Sequence, residues 1–275
     1  MNLDILPLFM ITIKEYVRAK SLEEAWQLNQ NKKNRILGGM LWTRLSDMHI
    51  NTAIDLAELG LNKIEENNTE FSIGAMVTLR DLEVHSGLNQ YTNGAIKDAL
   101  KNIVGVQFRN MATVGGSIWG RYGFSDVLTI FLALDCYVEL YKGGIVSLEA
   151  FAKMEYDRDV MVRLIVKKTQ GVVVYDAMRN QSTDFPVITC ALSQLNGTYK
   201  AVIGARPKKA EVYYDTQNRL QDGLNQEAIC LFAQDVAGIA ETSSNVRGSK
   251  EYRTHLIKVY IERGLEKLGG TCDGN

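Results

Sequence analysis

RNMATVGGSIWG (Arg109–Gly120) sets two adjacent glycines, Gly115 and Gly116, between Thr113 and Ser117. A second pair, Gly38-Gly39, follows the apolar run of NRILGGML (Asn34–Leu41). Glycine has no Cβ and accepts positive φ at little cost. Successive N–H groups can therefore line a concavity that holds an anion such as a phosphate. Thr113 and Ser117 would add hydroxyl donors. Neither stretch contains Gly-x-Gly-x-x-Gly or a Walker pattern, so spacing alone leaves a plain turn and an anion site both open.

Working outward from these pairs, the 275-residue chain divides into three regions. Residues 1–55 read as a small α/β unit. In SLEEAWQL, Ser21 stands three residues before Glu24, a capping box that opens a helix. NRILGG reads as a short buried strand entering a glycine turn, and TAIDLAEL begins as a strand with Asp55 near its end. Residues 56–168 form a larger mixed unit. EFSIGAMVTL reads as a strand and turn, with Thr78 capping a helix from Leu79. GAIKDALKNIVG carries Ile96, Leu100 and Ile103 on one helical face. SDVLTIFLALD reads as a buried helix and CYVELYKGG as a strand. Residues 169–275 contain three strand-like segments (GVVVYDAM, PVITCALSQLNG and YKAVIGA) followed by two helical ones. Ser249 caps the last helix, where Tyr252, Leu256, Val259, Tyr260 and Leu268 suggest the packed stripe before a Gly269-Gly270 stop. The fold class expected is α+β, with a three-stranded antiparallel sheet covered by helices at the C-terminal end.

Composition narrows the functional classes. The chain is 46% apolar and 23% charged, with a formal net charge of −1, so no global field draws it to nucleic acid or acidic membranes. No apolar run approaches the length of a membrane span. MNLDILPLFMITIKEYVRAK reads as the start of the fold rather than a signal peptide. The four cysteines, Cys136, Cys190, Cys230 and Cys272, form no Cys-x-x-Cys pair, which disfavours an iron–sulfur or zinc site in this chain. Free thiols suit a cytoplasmic location. His49, His85 and His255 are scattered, and nothing resembles a nucleophile elbow.

The longer string VQFRNMATVGGSIWGRYGFSDVLTIFLALDCYVEL (Val106–Leu140) is more specific. It resembles the FAD-binding (medium) subunit of the xanthine dehydrogenase and carbon monoxide dehydrogenase family of molybdenum hydroxylases. That family shows Arg-Asn-x-Ala-Thr-x-Gly-Gly-Asn, then Ser-Asp, then Leu-Ala-Leu-Asp. Arg109, Asn110, Ala112, Thr113, Gly115 and Gly116, then Ser125-Asp126, then Leu132 to Asp135 match in order and spacing. The similarity reaches both ends, through SLEEAWQL and ILGG early and Arg247, Gly248, Ser249, Tyr252 and Arg253 late.

The resemblance implies a two-part FAD-binding domain of the PCMH type over residues 1–168, with subdomains of about 1–55 and 56–168. A C-terminal domain of the carbon monoxide dehydrogenase flavoprotein type would follow over 169–275. It implies FAD in a crevice between the first two parts, its diphosphate held by two loops. Leu37, Gly38, Gly39, Met40 and Leu41 would form the first loop, and Thr113, Gly115, Gly116 and Ser117 the second. Asp126 matches an acidic residue at the adenosine end, Ile103 an apolar neighbour of that half, and Met161 or Val162 a further flavin contact. Tyr175 falls near a position where some relatives carry a lysine close to the flavin ring.

Two departures stand out. Met40, Leu41 and Trp42 replace the threonine and polar residue that usually continue the first loop, and Ser117 replaces an asparagine. The function implied is electron transfer from iron–sulfur clusters on a partner, through FAD, to NAD or another acceptor. Substrate would be hydroxylated on a molybdenum-cofactor subunit, and no side chain here need act as acid or base. Two other readings stand beside it: a structural or assembly subunit with weakened FAD binding, and a stand-alone FAD oxidoreductase of the same fold superfamily.

Overall fold

The computed structural model describes residues 10–269; Met1 to Phe9, Gly270 and Cys272 lie outside the described residues. The first sheet is parallel. β1 (Thr12–Arg18), α1 (Leu22–Asn29), β2 (Arg35–Leu37) and β3 (His49–Asp55) follow in sequence, and β3 lies between β1 and β2. Ser21 caps α1 as expected, its Oγ accepting from Glu24 N at 3.1 Å, but the return bond of the capping box is shifted by one residue: Glu24 accepts from Lys20 N at 2.8 Å. β2 is half-buried rather than buried, because it is an edge strand that runs straight into the first glycine pair.

The middle of the chain supplies β4 (Ile64–Glu66), β5 (Glu70–Gly74), α2 (Leu79–Val84), α3 (Ser86–Tyr91), α4 (Ala95–Leu100), α5 (Val106–Arg109), α6 (Val114–Gly120), α7 (Asp126–Ala133), β6 (Cys136–Leu140), β7 (Gly144–Ser147), α8 (Leu148–Lys153) and β8 (Met161–Lys167). Its five strands form one antiparallel sheet in the order β4-β5-β8-β6-β7. Thr78 and Asp81 complete a reciprocal capping box at α2. α4 ends at Leu100, so Ile103 lies in the turn beyond it rather than on the helix.

The last part comprises β9 (Gly171–Met178), β10 (Ile188–Leu195), β11 (Thr198–Gly204), β12 (Glu211–Tyr214), α9 (Gln226–Ile239) and α10 (Lys250–Leu268). The sheet has four strands, in the order β12-β11-β10-β9, not the three expected. The additional strand, EVYY, is too short to show an alternating pattern by itself. This sheet is buried on both faces. Cys190, Leu192, Ala201 and Ile203 pack with α9 and α10, whereas Val173, Tyr175, Ala191 and Val202 enter the core shared with α7. Alternation along each strand divides the residues in this way.

α7 is buried at every position because it lies between the four-stranded sheet and the helices α4, α6 and α8. Thr129 Oγ1 on α7 meets Thr189 Oγ1 at 3.0 Å, and Ser193 Oγ donates to Ala133 O at 2.6 Å. The stripe that faces the sheet from α10 is Arg253, Leu256, Ile257, Ile261 and Leu265. Of the expected set, Leu256 belongs to it and Tyr260 and Leu268 pack against the same core, whereas Tyr252 is exposed. No described helix is long and apolar enough to cross a membrane.

Candidate functional site

Gly38-Gly39 and Gly115-Gly116 meet. A Cβ on Gly39 would stand 1.9 Å from Met111 O, and one on Gly38 would stand 2.8 Å from Thr113 Oγ1. On the other side, a Cβ on Gly115 would lie 2.7 Å from Ala75 O. These glycines are thus required for close approach between backbones. None of the four has positive φ; the first loop's left-handed residue is Met40, with φ 57°. The sequence argument from conformational freedom therefore gives way to one from space.

The second loop is held against the segment after β5. Leu79 N donates to Ala112 O at 2.8 Å, Val114 N to Val77 O at 2.9 Å and Gly115 N to Ala75 O at 2.7 Å. Thr113 caps α6, its Oγ1 accepting from Gly116 N at 3.1 Å, and Ser117 N donates to Thr113 O at 3.0 Å. The donors of Val114 to Ser117 are all used within the chain. The first loop differs: the backbone N–H groups of residues 38–43 donate to no acceptor among the described residues. Buried or half-buried amides rarely stay unpaired, so this loop is the one equipped to receive an external acceptor. The unpaired backbone donors expected at both loops are found only at the first, and Thr113 and Ser117 line the same crevice.

Between the loops runs a crevice of about 840 Å³, within the range of ligand-sized sites. Leu37, Gly38, Gly39, Met40, Leu41, Ile103, Thr113, Gly115, Gly116, Ser117, Asp126 and Met161 all line it, so both loops and their expected neighbours are brought to one cavity, with Met161 there rather than Val162. Tyr175 does not line it. Its hydroxyl instead donates to the Asp126 carboxylate, which also pairs with Arg179. Burial raises the Asp126 pKa against the pull of Arg179, and pushes the Tyr175 hydroxyl well above its ordinary value. Arg179 does reach the crevice and donates to Asp184 O at 2.7 Å.

Sequence reasoning did not gather the aromatic part of this wall. Trp42, Phe108, Tyr122, Phe124 and Phe185 all line the crevice, and Trp42 contacts each of the other four rings at centroid distances of 5.6 to 6.4 Å. The rings come from four separate stretches of chain; only the Tyr122-Gly-Phe124 pair was locally visible. Arg109, prominent in the motif, does not line the crevice. It is buried and donates to Glu83 at 2.7 Å and to Ile103 O at 3.0 Å, pinning the approach to the second loop onto α2.

The FAD binding domain in molybdopterin dehydrogenase matches residues 10–169, more than half of the chain. The chain belongs to this family. FAD is the cofactor of the family's domain. The crevice fits that group: unpaired amides can meet a diphosphate, and aromatic walls can meet planar rings. The chain is 23% identical over 257 residues to uncharacterized protein YgfM of Escherichia coli K12, covering 90% of this chain and 94% of that one. It is 24% identical over 274 residues to the glyceraldehyde dehydrogenase medium chain of Sulfolobus acidocaldarius, covering 92% and 97%. Its fold matches a chain in the structure of carbon monoxide dehydrogenase from Hydrogenophaga pseudoflava lacking the Mo-pyranopterin moiety. The TM-score is 0.81 at 22% identity, over 94% of this chain and 98% of that one.

Proposed function

We propose that the chain is the FAD-binding, electron-transferring subunit of a molybdenum hydroxylase complex. Family membership supports the class. The observation that carries the site is the row of unpaired N–H groups at residues 38–43, a segment that lines the crevice beside the second loop. Residues 38–41, with the Thr113 and Ser117 hydroxyls, bind the diphosphate; Asp126, Ile103 and Met161 complete the cofactor pocket. FAD, when bound, supplies the redox chemistry. The protein's own residues fix its position and exclude water, and none is assigned as an acid or base.

In this reading residues 1–168 form the FAD-binding domain and 169–275 a C-terminal domain against it. Iron–sulfur clusters and molybdenum cofactor belong to partner subunits, a reading supported by relatives named as medium chains. NAD or another acceptor takes the electrons, and the complex works in the cytoplasm. The relatives' names carry different substrates, so the substrate is not transferred. The test is co-purification of the native complex, its visible spectrum, and flavin reduction by candidate purines and aldehydes. A chain that purifies alone and takes up no FAD would defeat the reading.

A further inference from the structure

We propose that Trp42 is the residue by which this crevice recognises the flavin ring: the isoalloxazine of FAD stacks against its indole. The inference rests on the crevice being the FAD site and adds what selects the ring.

The backbone presents Trp42 from a fixed turn. Met40 adopts φ 57°, Arg44 N donates to Met40 O at 3.0 Å, and Leu45 N donates to Trp42 O at 3.0 Å. A left-handed residue bearing a Cβ is strained, and such strain clusters at binding sites. Phe185 supports the indole in a stacked arrangement, 5.6 Å between centroids and 28° between planes, while Phe124 meets it edge-on at 5.7 Å. These rings set its orientation.

The indole is still 38% exposed, although it lines the cavity. Its ring N–H donates to no acceptor among the described residues. An exposed indole inside a crevice offers an apolar face and a polar edge together. The isoalloxazine matches both, being a broad planar ring system with an apolar methylated end and carbonyls at the other. Adenine is smaller and more polar, and the aromatic wall offers more apolar area than it needs; Asp126, two residues from Phe124 and bonded to Tyr175, then lies at the ring end rather than at the adenosine end that the resemblance implied. Trp42 also directly follows the unpaired amides of residues 38–41. One short loop can thus bind the diphosphate and the ring beside it.

Titration of the full-length apo chain with FAD, and separately with ADP, tests this. Trp42→Ala is expected to weaken FAD at least tenfold, about 1.4 kcal/mol, while ADP affinity stays within about twofold, because ADP lacks the ring that the indole meets. Trp42→Phe keeps a ring against Phe185 and Phe124, and should retain part of the FAD affinity. FAD should also quench tryptophan emission more in the wild type than in Trp42→Phe. Equal weakening of FAD and ADP, or FAD affinity unchanged in Trp42→Ala, would overturn the role of Trp42 alone. A wild-type chain that binds no FAD would overturn the reading of the crevice itself.

Discussion

Gly39 and Met111 meet backbone to backbone, with room for no side-chain carbon between them: a Cβ on Gly39 would sit 1.9 Å from the Met111 carbonyl oxygen. Gly39→Ala must therefore push the first loop off the second. We expect a loss of about 1–3 kcal/mol in stability and a clear fall in the flavin-to-protein absorbance ratio. Gly116→Ala is the contrast, since a Cβ there meets only Thr113 Oγ1, at 3.1 Å. A Gly39→Ala protein with normal FAD content would show that the two loops need not touch to hold the cofactor.

The Asp126–Tyr175–Arg179 group joins α7 to the C-terminal sheet. Arg179→Met would leave a buried carboxylate without its cation, a change worth about 3–5 kcal/mol. Tyr175→Phe removes one hydroxyl donor and should cost about 1.5–3 kcal/mol. Adding Asp126→Asn to Arg179→Met should recover part of the loss, because the stranded charge is gone. Denaturant midpoints of the four proteins decide this; no recovery in the double variant would mean that Arg179 acts elsewhere.

Glu23 on α1 supplies a pH handle. Lys142 Nζ donates to its carboxylate at 2.8 Å and Tyr141 Oη at 2.6 Å, holding the carboxyl down at about 2 from an ordinary 4.5. A depressed acid stabilises the fold above its unfolded pKa and loses that contribution as pH falls through its folded one. The midpoint difference between wild type and Glu23→Gln should thus be constant above about pH 5 and shrink between about 4.5 and 2. A difference independent of pH across that window would exclude the ionised contact as its source.

What was legible in the sequence followed local rules. Ser21, Thr78 and Ser249 each cap the helix expected of them, since a cap is decided within four residues. The paired glycines also stood out, although the expected cause was positive φ and the actual one is close approach. The aromatic wall around Trp42 could not be read, because its rings converge only after three sheets have assembled. The α10 stripe was read only in part, Leu256, Tyr260 and Leu268 packing as expected, because the buried set also includes Arg253, which an apolar pattern passes over. β12 escaped notice because its four residues gain strand character only by pairing with β11.

Arg253 shows what the Arg-Gly-Ser-x-x-Tyr-Arg block does. The side chain is fully buried, and its guanidinium donates to Val187 O at 2.9 Å, Ser243 O at 2.7 Å and Asn245 Oδ1 at 2.6 Å, as well as to Gly248 O. These acceptors are neutral oxygens on β10's approach and on the turn before α10, so its fork geometry rather than its charge ties them together. Arg253→Lys keeps the charge but offers a point donor that cannot span these acceptors. Leaving several carbonyls unpaired should cost about 3 kcal/mol or more, roughly a 6–12 °C fall in Tm, with Arg253→Met at least as damaging. Flavin content measured well below that Tm should change little, because none of these atoms lines the crevice. A lysine variant as stable as wild type would mean that charge alone suffices and that the fork is dispensable.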